Sequence, residues 1–379
     1  MSEWKKVKLG EILQVKKGEY ITKKEAKEGI YPVILGGKEP AYYINKFNHT
    51  GKAIVISRSG ASAGYVSFWN EPIFVTDGFL IEPKDDVIFE FLYYILKSKQ
   101  RELHNTQKGA AIPHVTPALI GSIEGLLPDV FTQQNIVSIL FRYDSLIENY
   151  QKQIKLLEEA AQRLYKEWFV DFHFPGHENT KIVDGVPEGW EKKCIAELGS
   201  VITGKTPSTS KRENYGGSIP FITIPDMHTG IFPVSSQFLS DIGANSQKGK
   251  FIPADSLMVS CIGTAGLVCI SSRPCQTNQQ INSLVLHDKS FLYFLYYAFL
   301  MLKEHLNNIG SNGATMTNVN KSKFESISLL IPTGNLISSY NDKAKPYFKN
   351  IRQLSSQIRL LTEARDRLLP KLMSGEIAV

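Results

Sequence analysis

The chain is poor in cysteine: among 379 residues only Cys194, Cys261, Cys269 and Cys275 occur, and no two form a CxxC pair. That spacing argues against a disulfide framework and against a thiolate metal cluster, and fits free thiols in a reducing compartment. Long apolar runs are also missing. The longest, Phe291 to Leu302, is far shorter than the roughly 20 residues of a membrane span and reads as a buried helix. At the start, Trp4-Lys5-Lys6 leads into polar residues rather than a secretory signal, so the expected location is the cytoplasm, with no membrane partner.

Catalytic motifs are absent as well. There is no Pro-Pro dipeptide, which excludes the Asn/Asp-Pro-Pro-Tyr/Phe loop that holds a flipped base's amino group in amine methyltransferases. No Gly-rich loop after a strand offers a methyl-donor site. The segment GANSQKGKF (Gly243 to Phe251) is the nearest approach to a phosphate loop, but it spaces its glycines wrongly and has Phe251 where a magnesium-binding hydroxyl is needed. Pro225-Asp226 lacks a downstream Glu-x-Lys for metal-dependent nuclease chemistry. His173 and His177 are separated by Pro175 and Gly176, which suits a surface linker better than a metal site, and no G-x-S-x-G elbow exists. A non-catalytic chain with no cofactor or metal of its own is expected.

What is present is one unit written twice. QIKLLEEAAQRL (Gln153 to Leu164) and QIRLLTEARDRL (Gln357 to Leu368) share eight of twelve residues at an offset of 204. FLYY recurs at Phe91–Tyr94 and Phe294–Tyr297, and SRSGASAG (Ser57 to Gly64) aligns with SCIGTAG (Ser260 to Gly266). Near the starts, WKKVKLGEI at Trp4 is echoed by WEKKCIAEL at Trp190. A full-length repeat of this kind governs the fold more than any local feature.

Each unit reads in the same order. Short β-like runs come first, such as YPVIL (Tyr31–Leu35), KAIVIS (Lys52–Ser57) and FVTDGFLIE (Phe74–Glu82). A helix follows, over Val87–Glu102 with Asp85 or Asp86 as its cap, and over about Ser290 to Leu306 in the second unit. Then come a Gly-rich loop, a short apolar strand ending in proline, and a long helix. In that helix apolar residues alternate at spacings of three and four from Leu140 to Trp168, the seam of a coiled coil. The same seam reappears from Ala344 to Leu372, interrupted by Arg365, with Pro346 expected to limit or kink its start and Pro370 to bend its end. Two matched seams are expected to pair with each other, antiparallel, because a whole second unit is built between them. The fold class is therefore α+β: two pseudo-repeated mixed β/α domains separated by an antiparallel coiled coil of two long helices. The expected divisions are 1–130, the first helix at 131–172, a linker at 173–188, a second domain at 189–333 and the second helix at 334–379.

Net charge is +6, with +2 on residues 1–130, +3 on 189–333, +4 on 334–379 and −3 on 131–188. Mildly basic globular parts permit phosphate contacts without proving them.

Specific segments then point to a family. RLYKEWFVDFHFPG (Arg163 to Gly176) and LLPKLMSGEI (Leu368 to Ile377) resemble the ends of the two conserved regions of type I restriction specificity subunits. PEGWEKKCIAEL (Pro187–Leu198) resembles the opening of a second target-recognition domain, and TGKTPST (Thr203–Thr209) its first loop. The first domain departs from the pattern: WKKVKLGEIL (Trp4–Leu13) is followed by KKGEYITKK. The resemblance implies two target-recognition domains, each reading half of an asymmetric, split site in double-stranded DNA. It further implies two modification subunits that methylate adenine with S-adenosylmethionine, and restriction subunits that translocate. On that pattern S-adenosylmethionine, ATP and magnesium belong to the partner subunits.

Candidate DNA contacts are basic, hydroxyl and amide groups on exposed loops. In the first domain these are Lys16, Lys17, Tyr20, Thr22, Lys23 and Lys24, then Arg58 and Ser59, and Gln107, Lys108 and His114 around the Gly-rich loop. In the second they are Lys205, Thr206, Ser208, Ser210, Lys211 and Arg212, with Asn278, Gln279 and Gln280 as base readers; Asn282 reads as a buried strand-end amide. Trp168 and Phe169, with Leu369 and Leu372, are the candidates for binding the modification subunits. Rival readings are a stand-alone DNA-binding regulator that dimerises through its coiled coil, and a scaffold without DNA contact. The first would bind DNA tightly alone, whereas a specificity subunit needs its partners.

Overall fold

A computed structural model describes residues 4–22, 25–37, 39–105, 114–310 and 317–379. The chain forms two compact units: residues 1–148 with 359–379, and residues 149–358.

In the first unit, Leu13–Lys17, Gly78–Pro83, Lys52–Ser57 and Val66–Asn70 make an antiparallel sheet in that order. Lys52–Ser57 is an inner strand covered on both faces. Ile54 and Ile56 pack with Phe79, Phe91 and Leu92, while Ala53 and Val55 pack with Ile34, Ile73 and Val75. That two-sided burial explains an apolar run without alternation. A second sheet pairs Glu28–Ile34 antiparallel with Tyr42–Ile44 and parallel with Phe74–Val75, and Lys5–Lys8 pairs with Glu124–Leu127. The run FVTDGFLIE is therefore two strands. The chain leaves one sheet at Thr76-Asp77 and enters the other at Gly78.

The helix expected over Val87–Glu102 is also two pieces, Phe89–Ser98 and Gln100–Asn105. Neither aspartate caps it. Asp85 sits in the preceding turn at φ 44°, and the Ile88 N–H at the helix start donates to Gln133 Oε1 at 2.9 Å.

The second unit repeats this plan. Gly199–Thr203, Ile281–Leu286, Leu257–Ser260 and Val268–Ile270 form the four-stranded sheet. Tyr215–Ile222 pairs antiparallel with Gln237–Leu239 and parallel with Gln276–Thr277, and Glu191–Cys194 pairs with Ser328–Ile331. Each sheet of the first unit has its counterpart here. The apolar LYFLYYAFLM forms the buried helix Leu292–Met301, and a separate helix, Lys303–Gly310, follows it.

Two 40-residue helices, Val130–Phe169 and Gly334–Met373, contribute to both cores. In the first unit, Ile136 and Leu140 share a cluster with Leu369, Leu372 and Met373. In the second, Gln153, Leu156 and Leu157 lie beside Asn350, Gln353 and Leu354, while Trp168 and Phe169 meet Tyr340. Rising numbers on one helix meet falling numbers on the other, so the pair runs antiparallel. The helix from Gly334 continues through Pro346, which therefore does not limit its start, and through Pro370. A proline removes one backbone donor, but Tyr340, Ala344, Phe348 and Ile351 are all buried around Pro346 and hold both sides of it in place.

Candidate nucleic-acid interface

The first unit presents its candidates at the ends of sheet strands. Lys16 is paired with Glu82 on the neighbouring strand at 2.6 Å, so its charge is partly neutralised. Lys17 ends the strand and is exposed, without an ion-pair partner among the described residues. The following turn is pinned by the Gly18 N–H donating to the Gly78 carbonyl (3.0 Å) and the Glu19 N–H to the Val75 carbonyl (2.9 Å). A Cβ on Gly18 would lie 2.5 Å from the Val75 oxygen, so only glycine permits this approach. The turn delivers Tyr20, 86% exposed, into solvent. Thr22 is tied to Glu25 through its N–H and hydroxyl. Lys23, Lys24, Gln107 and Lys108 lie outside the described residues.

Arg58, Ser59 and His114 come together, along with Asp77, which the sequence did not single out. Arg58 Nε donates to His114 Nε2 at 3.2 Å, so this His nitrogen accepts. Arg58 Nη1 lies 3.9 Å from Asp77 Oδ1, and the Ser59 hydroxyl donates to Asp77 Oδ2. The available signal was the Asp-Gly turn pair inside FVTDGFLIE, masked by reading that run as one strand.

In the second unit the TGKTPST loop is bolted down from below. A Cβ on Gly204 would stand 2.1 Å from the Asn278 carbonyl oxygen. The Lys205 N–H donates to the Thr277 carbonyl (2.9 Å), and its own carbonyl accepts from Gln247 Nε2 (2.8 Å). Gln247 is buried and bonded to Gln276, which in turn donates to the Ala244 carbonyl. Further along, Thr206 donates to Gln279 (2.7 Å), Ser208 and Ser210 bond each other (2.8 Å), and Asn214 and Tyr215 hold the Ser208 and Pro207 carbonyls. This fixed backbone leaves Lys205, Lys211 and Arg212 exposed, with no acidic partner among the described residues.

The expected base readers differ in availability. Gln279 is exposed. Asn278 is buried and spends its amide on the Gln280 side chain (3.0 Å) and the Gln280 N–H (3.1 Å), so it shapes the turn rather than reading bases. Gln280 is half-buried and also donates to the Ile262 carbonyl. Asn282 is the buried amide expected, bonded to Thr203 and the Val319 carbonyl.

The partner-binding candidates require correction. Trp168 and Phe169 are buried among Tyr340, Trp190 and Phe294, and Leu369 and Leu372 are buried in the first unit's core. The apolar cluster is consumed by packing within each unit, so these side chains are not available for direct contact with another protein. Asp226 is likewise structural: its carboxylate caps the turn at Thr223 and accepts from the Ser236 N–H. No group of three or more His, Cys, Asp or Glu side chains among the described residues is arranged to hold a metal. Nor is any helix of the described residues long and apolar enough to cross a membrane.

Two mixed domains of identical strand order, each completed by long antiparallel helices, form a duplicated scaffold. The family model for the type I restriction modification DNA specificity domain matches twice, over residues 1–159 and 187–335. The chain is 32% identical to the type I restriction enzyme HindI specificity subunit of Haemophilus influenzae, over 79% of this chain and 80% of that one. It is 29% identical to the MjaIX specificity subunit of Methanocaldococcus jannaschii, over 86% and 78%. The crystal structure of a type I restriction-modification system S subunit from M. genitalium shares the fold, with a TM-score of 0.64 at 19% identity over 98% of this chain and 96% of that one. The chain belongs to the type I restriction-modification DNA specificity family.

Proposed function

We propose that the chain is the sequence-reading subunit of a type I restriction-modification complex, with each repeat unit reading one half of a split, asymmetric site in double-stranded DNA. The observation that carries this reading is a specificity domain present twice on one strand plan, with different side chains on the exposed loops. A shared scaffold with unlike reading surfaces suits two unlike half-sites.

In this reading the chain acts in the cytoplasm and supplies no catalytic group. Two modification subunits dock on it and bring S-adenosylmethionine. Restriction subunits join with ATP and magnesium. Exposed basic loops give phosphate contacts that position the complex, and base-edge contacts give the choice of sequence.

The test is co-expression with the cognate modification subunits in a host free of adenine methylation, followed by genome-wide mapping. A split motif is expected, and exchanging residues 189–333 for those of a relative should change one half only. A change in both halves would refute the modular reading. The lone chain should transfer no methyl group from a labelled donor and should bind DNA weakly without partners. Tight specific binding by the lone chain would favour a regulator instead.

A further inference from the structure

The two units frame the same four positions with the same backbone hydrogen bonds. In the first, the Arg58 N–H donates to the Asp77 carbonyl (3.2 Å) and the Arg58 carbonyl accepts from the Val115 N–H (2.9 Å). In the second, the Cys261 N–H donates to the Gln280 carbonyl (2.8 Å) and the Cys261 carbonyl accepts from the Val319 N–H (2.9 Å). Ser59 forms an isolated bridge with His114, and Ile262 forms the matching bridge with Asn318. The turns beside them agree too: the Gly64 N–H donates to the Ser57 carbonyl and the Gly266 N–H to the Ser260 carbonyl.

The side chains on this common frame do not agree. The first unit places Arg58, Ser59, Asp77 and His114 there; the second places Cys261, Ile262, Gln280 and Asn318. One set carries an arginine and an aspartate, and the other no charged residue. Cys261 is moreover buried, with its thiol pushed up to about 12 by burial and held from rising further by Asn282, so it offers no polar contact at the surface.

The chemistry around Arg58 selects a ligand. Its Nε is committed to His114, and both terminal nitrogens make no hydrogen bond among the described residues. The side chain is 38% exposed, with the Asp77 carboxylate beside Nη1 and that carboxylate fixed in turn by Ser59. A phosphate brought to this guanidinium would also approach the aspartate and be repelled. The O6/N7 edge of guanine is a pair of neutral acceptors that fits the planar fork, and the carboxylate then serves to aim the arginine.

We propose that Arg58, oriented by Asp77 and His114, reads a guanine in the half-site taken by the first unit, while the equivalent place in the second unit reads no guanine in this way. The proposal rests on the DNA-reading role given above and assigns one base contact within it.

The test uses the full chain assembled with its modification subunits, acting on duplexes in which each base pair of the mapped site is changed in turn. The half-site that survives exchange of residues 189–333 belongs to the first unit. One guanine there should lose methylation about 5- to 150-fold when replaced by another base, and should also lose it on replacement by 7-deazaguanine, which lacks the N7 acceptor. Arg58→Gln should level the preference at that position and remove the 7-deaza effect, leaving the other half-site unchanged. Arg58→Lys keeps the charge but loses the planar fork and the Nε bond to His114 that aims it, and should weaken the preference. Uniform slowing on all sequences with the preference intact, or full preference in Arg58→Lys, would overturn the assignment. Should Arg58→Gln fail to assemble, the lysine variant and the 7-deazaguanine response of the wild type decide it. Sequence-independent methylation by the wild-type complex would instead overturn the reading role itself, and this contact with it.

Discussion

Arg365 interrupts an otherwise apolar seam, and the structure shows what it is for. Its Nη1 meets Asp144 Oδ1 at 2.5 Å, and the other carboxylate oxygen accepts from the Tyr94 hydroxyl at 2.6 Å. Burial, and then the Asp144 charge and hydrogen bond, raise the Tyr94 phenol above its ordinary range, so it stays a donor at any ordinary pH. The arginine and aspartate side chains are 19% and 23% exposed. Replacing Arg365 by Leu restores the seam pattern but strands a partly buried carboxylate. Breaking a fully buried pair costs about 3–5 kcal/mol; with roughly a fifth of each side chain in water, about 1.5–3 kcal/mol is the expected loss. In a unit of this size that lowers its melting temperature by about 3–12 °C. Adding Asp144→Asn removes the stranded charge while keeping an acceptor for Tyr94, so the double variant should recover more than half of the loss. The assay is thermal and urea unfolding of the four members of the cycle. Wild-type stability in Arg365→Leu alone would show that the ion pair contributes nothing.

Trp168→Ala should destabilise the second unit by about 3–5 kcal/mol through a core cavity; a folded, fully stable variant that merely loses its partner subunits would restore the docking role rejected above. Glu158 has its carboxyl raised by burial, so the native state favours the protonated form: that stabilisation is present at acid pH and is lost as pH rises through the raised value. Glu158→Gln should therefore be slightly more stable than wild type at pH 7, by less than about 1 kcal/mol given its partial exposure, with the gap closing towards pH 4; an equal gap at both pH values would contradict this. Burial pushes the Cys261, Cys269 and Cys275 thiols up to about 12, and Cys194 alone is half-exposed, so native protein at pH 8 should show one thiol reacting quickly with a thiol reagent. Rapid modification of all four without unfolding would show that the core opens freely.

The repeat, the long heptad helices, the buried helix at Leu292–Met301 and the family resemblance were legible in the sequence, because periodicity and self-similarity are properties of the chain itself. So was Asn282 as a buried amide, from its place in an apolar strand. Tertiary structure decided how those pieces are shared. Ile136 and Leu140 complete one core with Leu369 and Leu372, and Trp168 and Phe169 complete the other with Tyr340. An aromatic cluster at a helix end looks the same in a sequence whether a domain or a partner covers it. The split of FVTDGFLIE between two sheets, and the helix that runs on through Pro346, were set by hydrogen bonds and contacts from segments distant along the chain. The same holds at the reading surface. Asn278 and Gln279 are neighbours of like chemistry, yet one is spent on Gln280 and the other faces water. Asp77 stands with Arg58 only because two strand ends meet, an encounter that residue spacing along the chain does not encode.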